Sequence, residues 1–224
     1  MNICLIPARS GSKRIKNKNI LKINKKPMIH WSIQIAKKSK IFKKIFVSSD
    51  SKKVNSIAKS SGALVPFKRP KKFATDKSTD RDVLNHFLAY AKKKNIKVKS
   101  ICYMYPSCIL ISPEILKLSF KKFLSKNKNL ISISSYNAPI QIALTKTKKN
   151  LIKYLDYKNS KKSTQKMKQY FHDAGQFYWF KVNNYKIKNT EINNYFYLDR
   201  KFSVDLDTKE DLDLLKILYT YHDK

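Results

Sequence analysis

Two of the five arginines and one of the three glycines of this 224-residue chain fall together in Arg9-Ser10-Gly11-Ser12-Lys13-Arg14. The segment follows Ile6-Pro7-Ala8 and runs on to Lys16, Lys18 and Asn19. Glycine permits close backbone approach, serine adds donors, and a guanidinium can grip phosphate oxygens with paired hydrogen bonds. The GxxxxGK[ST] spacing of a Walker A loop is absent. Phosphate binding is one reading, and a solvated basic loop is the other.

Near the C-terminus stands Val204-Asp205-Leu206-Asp207-Thr208, in a chain with only 15 acidic residues. On a strand, alternation sends Asp205 and Asp207 to the same side, where two carboxylates can share a divalent cation. Alternatively Asp207 belongs to a helix N-terminal turn, where its charge suits the dipole. A third group, Phe171-His172-Asp173-Ala174-Gly175-Gln176-Phe177-Tyr178-Trp179, mixes a histidine, an acid and an amide with aromatics. It suits recognition of a polar sugar, or else it is core aromatics with a histidine bonded to a loop carbonyl. His30, His86 and His222 lie in helical patterns and read as structural. Cys4 and Cys102 sit in apolar runs without CxxC spacing and read as buried free thiols, whereas Cys108 follows a Pro-Ser turn and could line a pocket.

The elements that must position these groups alternate from the start. Asn2–Ala8 and Lys44–Ser49 read as strands, Met28–Lys38 and Ser51–Ser60 as helices, and Ile29, Ser32, Ile33 and Ala36 share one helical face. Gly62 suits a helix C′ position before a short strand at Ala63–Phe67. A helix over Asp80–Lys94 precedes a buried strand at Lys99–Tyr105, and Ser112-Pro113 opens another helix as N-cap and N1. Asn129–Tyr136, Gln141–Thr147, Ala174–Val182, Asn194–Leu198 and Phe202–Leu206 read as strands, with Thr208 capping a closing helix. Such alternation indicates an α/β domain on a mainly parallel sheet, whose ligands bind beyond the strands' carboxyl ends. That rim gathers Pro7–Asn19, Ser48–Asp50, Arg69–Asp76 and Tyr105–Ile109.

Composition bounds the rest. Hydrophobic residues at 42% suffice for a core, and lysines interrupt every apolar stretch before the roughly 18–20 residues of a membrane span. The expectation is a soluble cytoplasmic protein without a membrane partner. The formal charge of +34 raises a rival from another class, a basic nucleic-acid-binding protein. Lysine, however, is spread through almost every segment rather than gathered as arginine forks on one face, so no specific nucleic acid is expected.

The three segments, in this order and spacing, resemble the acylneuraminate cytidylyltransferase family, which activates sialic, legionaminic and pseudaminic acids as CMP-sugars. Ile6-Pro7-Ala8-Arg9 through Lys18-Asn19, Val47-Ser48-Ser49-Asp50, Phe67-Lys68-Arg69-Pro70 with Ala74-Thr75-Asp76, and Asp205-Leu206-Asp207-Thr208 carry the likeness over nearly the whole chain. Met104-Tyr105-Pro106-Ser107 and His172–Trp179 look most like the pseudaminic acid branch. Ser10 departs from the glycine common in the family's loop.

What the resemblance implies is a Rossmann-like, GT-A-like nucleotidyltransferase fold. It forms one domain over 1–224, with an inserted arm at about 137–172 that makes a homodimer. The anomeric hydroxyl of an acidic nine-carbon sugar would attack the α-phosphorus of CTP, releasing pyrophosphate. Arg9, Lys13, Lys18, Asp205 and Asp207 are the implied catalytic set, with Asp205 and Asp207 on Mg²⁺. Ala8, Ser10, Gly11, Ser12, Asn19 and Arg69 join Arg9, Lys13 and Lys18 around the nucleotide, and Tyr105, His172 and Gln176 meet the sugar. Sialic or legionaminic acid is the alternative acceptor. A GT-A-type glycosyltransferase would also use D-x-D, but mid-chain.

Overall fold

The computed structural model describes residues 1–187 and 194–222, with the His222 side chain outside that description. Strand β1 (Asn2–Pro7) leads into the basic loop, and a small hairpin, β2 (Lys22–Ile23) and β3 (Lys26–Pro27), delivers the chain to helix α1 (Met28–Ser39). Then come β4 (Lys44–Ser48), α2 (Lys52–Ser60), α3 (Asp80–Lys93), β5 (Ser100–Met104), α4 (Pro113–Lys126) and β6 (Leu130–Ser135). A second hairpin, β7 (Leu144–Lys146) and β8 (Ile152–Tyr154), is followed by the short α5 (Tyr157–Ser160). The long β9 (Phe171–Asn183), β10 (Lys186–Ile187), β11 (Asn194–Tyr197) and α6 (Lys209–His222) complete the order.

The central sheet runs β11-β6-β9-β5-β1-β4, with β10 beside β9. β1 is parallel to β4 and β5, and β6 to β11, while β9 runs antiparallel between β5 and β6. The sheet is therefore mainly parallel, as alternation of strands and helices implied. β1 is buried on both faces: Cys4 and Ile6 meet the α1, α2 and α4 side, and Ile3 and Leu5 meet α3. Its uninterrupted apolar run is the signature of such a strand. Trp179 of β9 stacks on Phe42 and Phe123 and donates its indole N–H to Ser119 Oγ at 3.0 Å, satisfying the polar end of a fully buried ring.

Local signals set the helix ends. Ser51 caps α2, Ser112 caps α4 with Pro113 in its first turn, and Thr79 with Asp82 forms a reciprocal capping box on α3. Gly62 follows α2 at φ 93°, where a side chain would be strained.

Three expected strands come out differently. Ala63–Phe67 reduces to one bridge between Leu64 and Phe46, because Pro66 has no N–H to continue the ladder. Gln141–Thr147 shrinks to β7, since a 3₁₀ turn over Ile140–Ile142 occupies its start. Phe202–Leu206 forms no strand: a 3₁₀ turn at Arg200–Phe202 opens it, and Val204 gives its carbonyl to Gln176 rather than to a neighbouring strand. Even so, Val204 and Leu206 are buried with Leu215 and Tyr219, and Asp205 and Asp207, which alternate with them, both line one cleft. All three cysteines are free and buried, Cys108 included, which takes it out of any pocket wall.

Candidate active site

A cleft of about 730 Å³ opens at the carboxyl ends of β1 and β5. Its first wall is the basic loop. The loop is anchored from both sides: Asp50, at the end of β4, accepts the Ser10 N–H at 2.9 Å and O–H at 2.6 Å, and Asn19 donates to the Arg9 carbonyl at 2.9 Å. Ala8 is buried and donates its N–H to Ser48 O. Arg9, Ser12, Lys13, Lys18 and Asn19 line the cleft, whereas Ala8, Ser10 and Gly11 shape the loop behind them. Nothing lies within 4 Å of a Cβ built on Gly11, so the free protein leaves room for a side chain there.

Four of the loop's five cations, all but Lys16, have a carboxylate opposite among the described residues. Arg9 Nη1 and Lys13 Nζ each reach Asp76 at 2.7 Å. Arg14 Nη1 meets Asp207 Oδ2 at 2.5 Å, and Lys18 Nζ stands 3.8 Å from Asp207 Oδ1. Burial depresses the Lys18 ammonium pKa even though Asp205 and Asp207 pull it up. Asp205 moves the other way: burial, then the neighbouring Asp207 charge, push its carboxyl above the ordinary range. A carboxylate whose proton affinity is raised by burial and by a neighbouring carboxylate makes a site that a cation would relieve. The donors are hard oxygens, and among the described residues no third His, Cys, Asp or Glu joins them. A cation that keeps waters and binds through one or two carboxylates plus phosphate oxygens, as Mg²⁺ does, fits this donor set.

Arg69 forms the floor. It is 3% exposed, donating through Nε to Ser48 Oγ at 3.0 Å, through Nη2 to Ser48 O, and through Nη1 to Phe73 O at 3.4 Å. A planar fork with this many donors ties the end of β4 to the segment leading to Asp76.

The far wall is aromatic. Tyr103 of β5 and Tyr105 just past its end both line the cleft, and Tyr178 sits opposite Tyr103 on β9. The Tyr103 hydroxyl donates to Asp80 Oδ1 at 2.7 Å, the Tyr105 hydroxyl to Asp80 Oδ2, and the Tyr178 hydroxyl to Asp173 Oδ2. Tyr105 and Tyr178 meet edge to face at 6.0 Å. Burial, then the facing carboxylate, pushes both of these phenols far above their ordinary pKa, so each remains a neutral donor.

Of the three residues expected on the sugar, only Tyr105 reaches the cleft. Gln176 is buried and spends its amide on Ala174 O at 3.0 Å and Val204 O at 3.2 Å, tying β9 to the aspartate loop. His172 pairs with Ser134 across to β6, places Nδ1 2.8 Å from Asp173 O and lies against Tyr136 at 5.0 Å. The cause is a bulge. Ile131 pairs with Tyr178 and Ile133 with Asp173, and Gly175 between them adopts φ 60°. Asp173 and Gly175 therefore enter the cleft wall instead. The sequence reading named Asp173 and Tyr178 only as members of their segment, Arg14 only as part of the basic loop, and Asp80 only as the start of a helix. The signal available for the first pair was one of the chain's three glycines within an otherwise regular strand.

Away from the cleft, His30 Nδ1 lies 3.0 Å from Ser61 Oγ, and His86 is held between Phe67 and Phe73. No helix of the described residues is long and apolar enough to cross a membrane.

The cytidylyltransferase sequence profile matches residues 3–223. The chain belongs to the cytidylyltransferase family. The pseudaminic acid cytidylyltransferase of Campylobacter jejuni subsp. jejuni serotype O:2 is 34% identical over 223 residues, covering 97% of this chain and 96% of its own. The N-acylneuraminate cytidylyltransferase of Escherichia coli O18:K1:H7 is 29% identical over 95% of this chain and 50% of its own length. Among solved structures, a CMP:2-keto-3-deoxy-manno-octonic acid synthetase complexed with CTP shares the fold. It aligns with a TM-score of 0.67 over 98% of both chains at 15% identity. This cytidylyltransferase thus carries its cationic loop, paired aspartates and tyrosine wall around one cleft.

Proposed function

We propose that the chain transfers CMP from CTP to a 5,7-diamido-nonulosonic acid of the pseudaminic type, releasing pyrophosphate. The observation that carries this reading is the single cleft in which the Arg9–Lys18 loop faces Asp205 and Asp207, in a cytidylyltransferase-family chain. The acceptor class is supported by the 34% identity to the Campylobacter pseudaminic acid enzyme across nearly the full length of both chains. The E. coli relative keeps sialic acid as the second reading.

Such a reaction needs little covalent help from protein, so positioning and charge neutralisation dominate. Arg9 and Lys13 exchange Asp76 for the triphosphate, and Ser12 and Lys18 add donors along it. Asn19 and Asp50 keep the loop from yielding as charge builds on the departing pyrophosphate. Asp205 and Asp207 hold Mg²⁺, with Arg14 and Lys18 balancing their charge in its absence. When bound, the ion neutralises phosphate oxygens and lowers the pKa of a nearby hydroxyl. Arg69 positions the nucleotide side of the cleft through Ser48 and Phe73 rather than by reaching outward.

The assembly is a homodimer in this reading. Leu144, Leu151, Ile152 and Leu155 are each more than half exposed on or beside the β7–β8 hairpin, an apolar surface suited to a second copy. Its place of work is the cytoplasm, consistent with three free thiols.

Asp207→Ala tests the site. Pyrophosphate release should disappear and stay absent when Mg²⁺ is raised, and near-normal turnover would remove Asp207 from the mechanism.

A further inference from the structure

The tyrosine wall has a chemical polarity that its composition conceals. Tyr103, Tyr105 and Tyr178 each own one donor, and all three are spent on carboxylates, two on Asp80 and one on Asp173. The Gly175 N–H is also consumed, by Asp173 Oδ1 at 2.9 Å. What these groups still offer the cleft is lone pairs: phenol oxygens and the free sides of carboxylate oxygens. The high proton affinity of Tyr105 and Tyr178 keeps those protons in place. Among the described residues neither Asp80 nor Asp173 forms an ion pair. Arg69 lies within electrostatic reach of Asp80. Among the described residues the Asp173 side chain has only neutral partners, Tyr178 and the Gly175 N–H.

Such a surface rewards ligand donors and repels carboxylates, phosphates and carbonyl oxygens. The opposite wall is cationic. An acidic sugar carrying acylamido groups has one sensible way to lie between them. Its carboxylate turns toward the loop, and its amide N–H groups, which cannot accept, turn toward the tyrosines.

We propose that Asp173, held by Tyr178, is a specificity-determining residue that accepts an acylamido N–H of the acceptor sugar, with the Tyr105–Asp80 pair continuing the same acceptor-only wall. The inference rests on the reading of the acceptor as an amido-nonulosonic acid, and it adds which residue selects for the amide and how the sugar is turned.

Asp173→Asn is an informative change because its local turn survives. The asparagine oxygen can still take the Gly175 N–H, so the bulge is kept. Its amide nitrogen then faces Tyr178, donates to the phenol oxygen and frees the phenol proton, which turns the wall from acceptor to donor. The assay is pyrophosphate release with CTP and three acceptors: a 5,7-diamido-nonulosonic acid, N-acetylneuraminic acid with one amide, and amide-free 3-deoxy-manno-octulosonic acid. The expected result is a rise of about tenfold or more in KM for the diamido acid. KM for CTP and the melting temperature should stay at wild-type values, and preference for the diamido over the mono-amido acid should narrow. An unchanged acceptor KM overturns the proposal. So does a parallel rise for CTP and acceptor, which marks a purely structural turn. Should Asp173→Asn not fold, Tyr178→Phe decides, with a selective rise of about threefold or more in acceptor KM supporting the proposal and none overturning it. A wild-type enzyme that prefers the amide-free acid, or uses none of the three, overturns the underlying functional reading and the inference with it. Wild-type turnover of the diamido acid with an indifferent Asp173→Asn overturns the inference alone.

Discussion

Replacing Arg9 by alanine separates binding from folding, because its guanidinium has one side-chain partner among the described residues and should take another with CTP. In the free state Nη1 pairs with Asp76 at 2.7 Å, where the arginine side chain is 37% and the aspartate 46% exposed. Ion pairs this open to water add little to stability. The fold should barely notice, and for a chain of this length the melting temperature should move by less than about 2 °C. A charge-assisted hydrogen bond to a phosphate oxygen contributes about 1.5–3 kcal/mol. Every 1.4 kcal/mol is about a factor of ten, so loss of Arg9 should raise KM for CTP by about 10- to 100-fold. Arg9→Lys should recover only part of this, since an ammonium keeps the charge but not the fork. Initial rates of pyrophosphate release against CTP, at saturating acceptor, read the effect, and a melting curve reads the control. A KM within twofold of wild type would refute phosphate binding by this loop. A drop of several degrees in melting temperature would assign Arg9 a structural job instead.

Two further outcomes follow from the same contacts. Arg69→Lys should lower the melting temperature by about 5–10 °C, because a buried fork on Ser48 and Phe73 is replaced by a single ammonium that leaves acceptors unpaired. A wild-type melting curve would show that the fork is dispensable. Burial raises the Asp50 carboxyl, but the Ser10 O–H and N–H outweigh it, so its folded pKa lies below its ordinary value. A depressed carboxyl contributes stability above its unfolded pKa of about 4, lost as pH falls through the folded value. Denaturant titrations between about pH 2 and 5 should therefore show a shallower acid limb in Asp50→Asn than in wild type, and superimposable limbs would contradict the Ser10 anchor.

Much of this site is written in local residue patterns. The loop after β1 announced itself by rare residue types at a strand end, and Asp205 with Asp207 by alternation with Val204 and Leu206. That alternation survived although the expected strand did not, because burial of two apolar residues under α6 fixes the facing without a hydrogen-bonded partner. Other groups were hidden because their local sequence has a sufficient ordinary explanation. Asp80 reads as a favourable acid in the first turn of α3, and Tyr178 as another core aromatic of β9. Asp76 stands in the Ala74-Thr75-Asp76 block of the family likeness, but its partners show only when Arg9 and Lys13 converge on it. His172 and Gln176 were misplaced for a different reason: strand periodicity assumes an even pleat, and the bulge at Gly175 breaks it. The charge of +34, the largest number in the composition, decided least. Of the arginines, Arg9, Arg14 and Arg69 turn into one cleft, while lysine is spread along the chain.

The most direct test of the central claim is pyrophosphate release by the purified wild-type protein with Mg²⁺, CTP and a pseudaminic-type 5,7-diamido-nonulosonic acid. Release should require both substrates, be accompanied by the CMP-sugar, and exceed the rate with N-acetylneuraminic acid. Release at the same rate without any sugar acid, or none with CTP and either acid, would contradict the account.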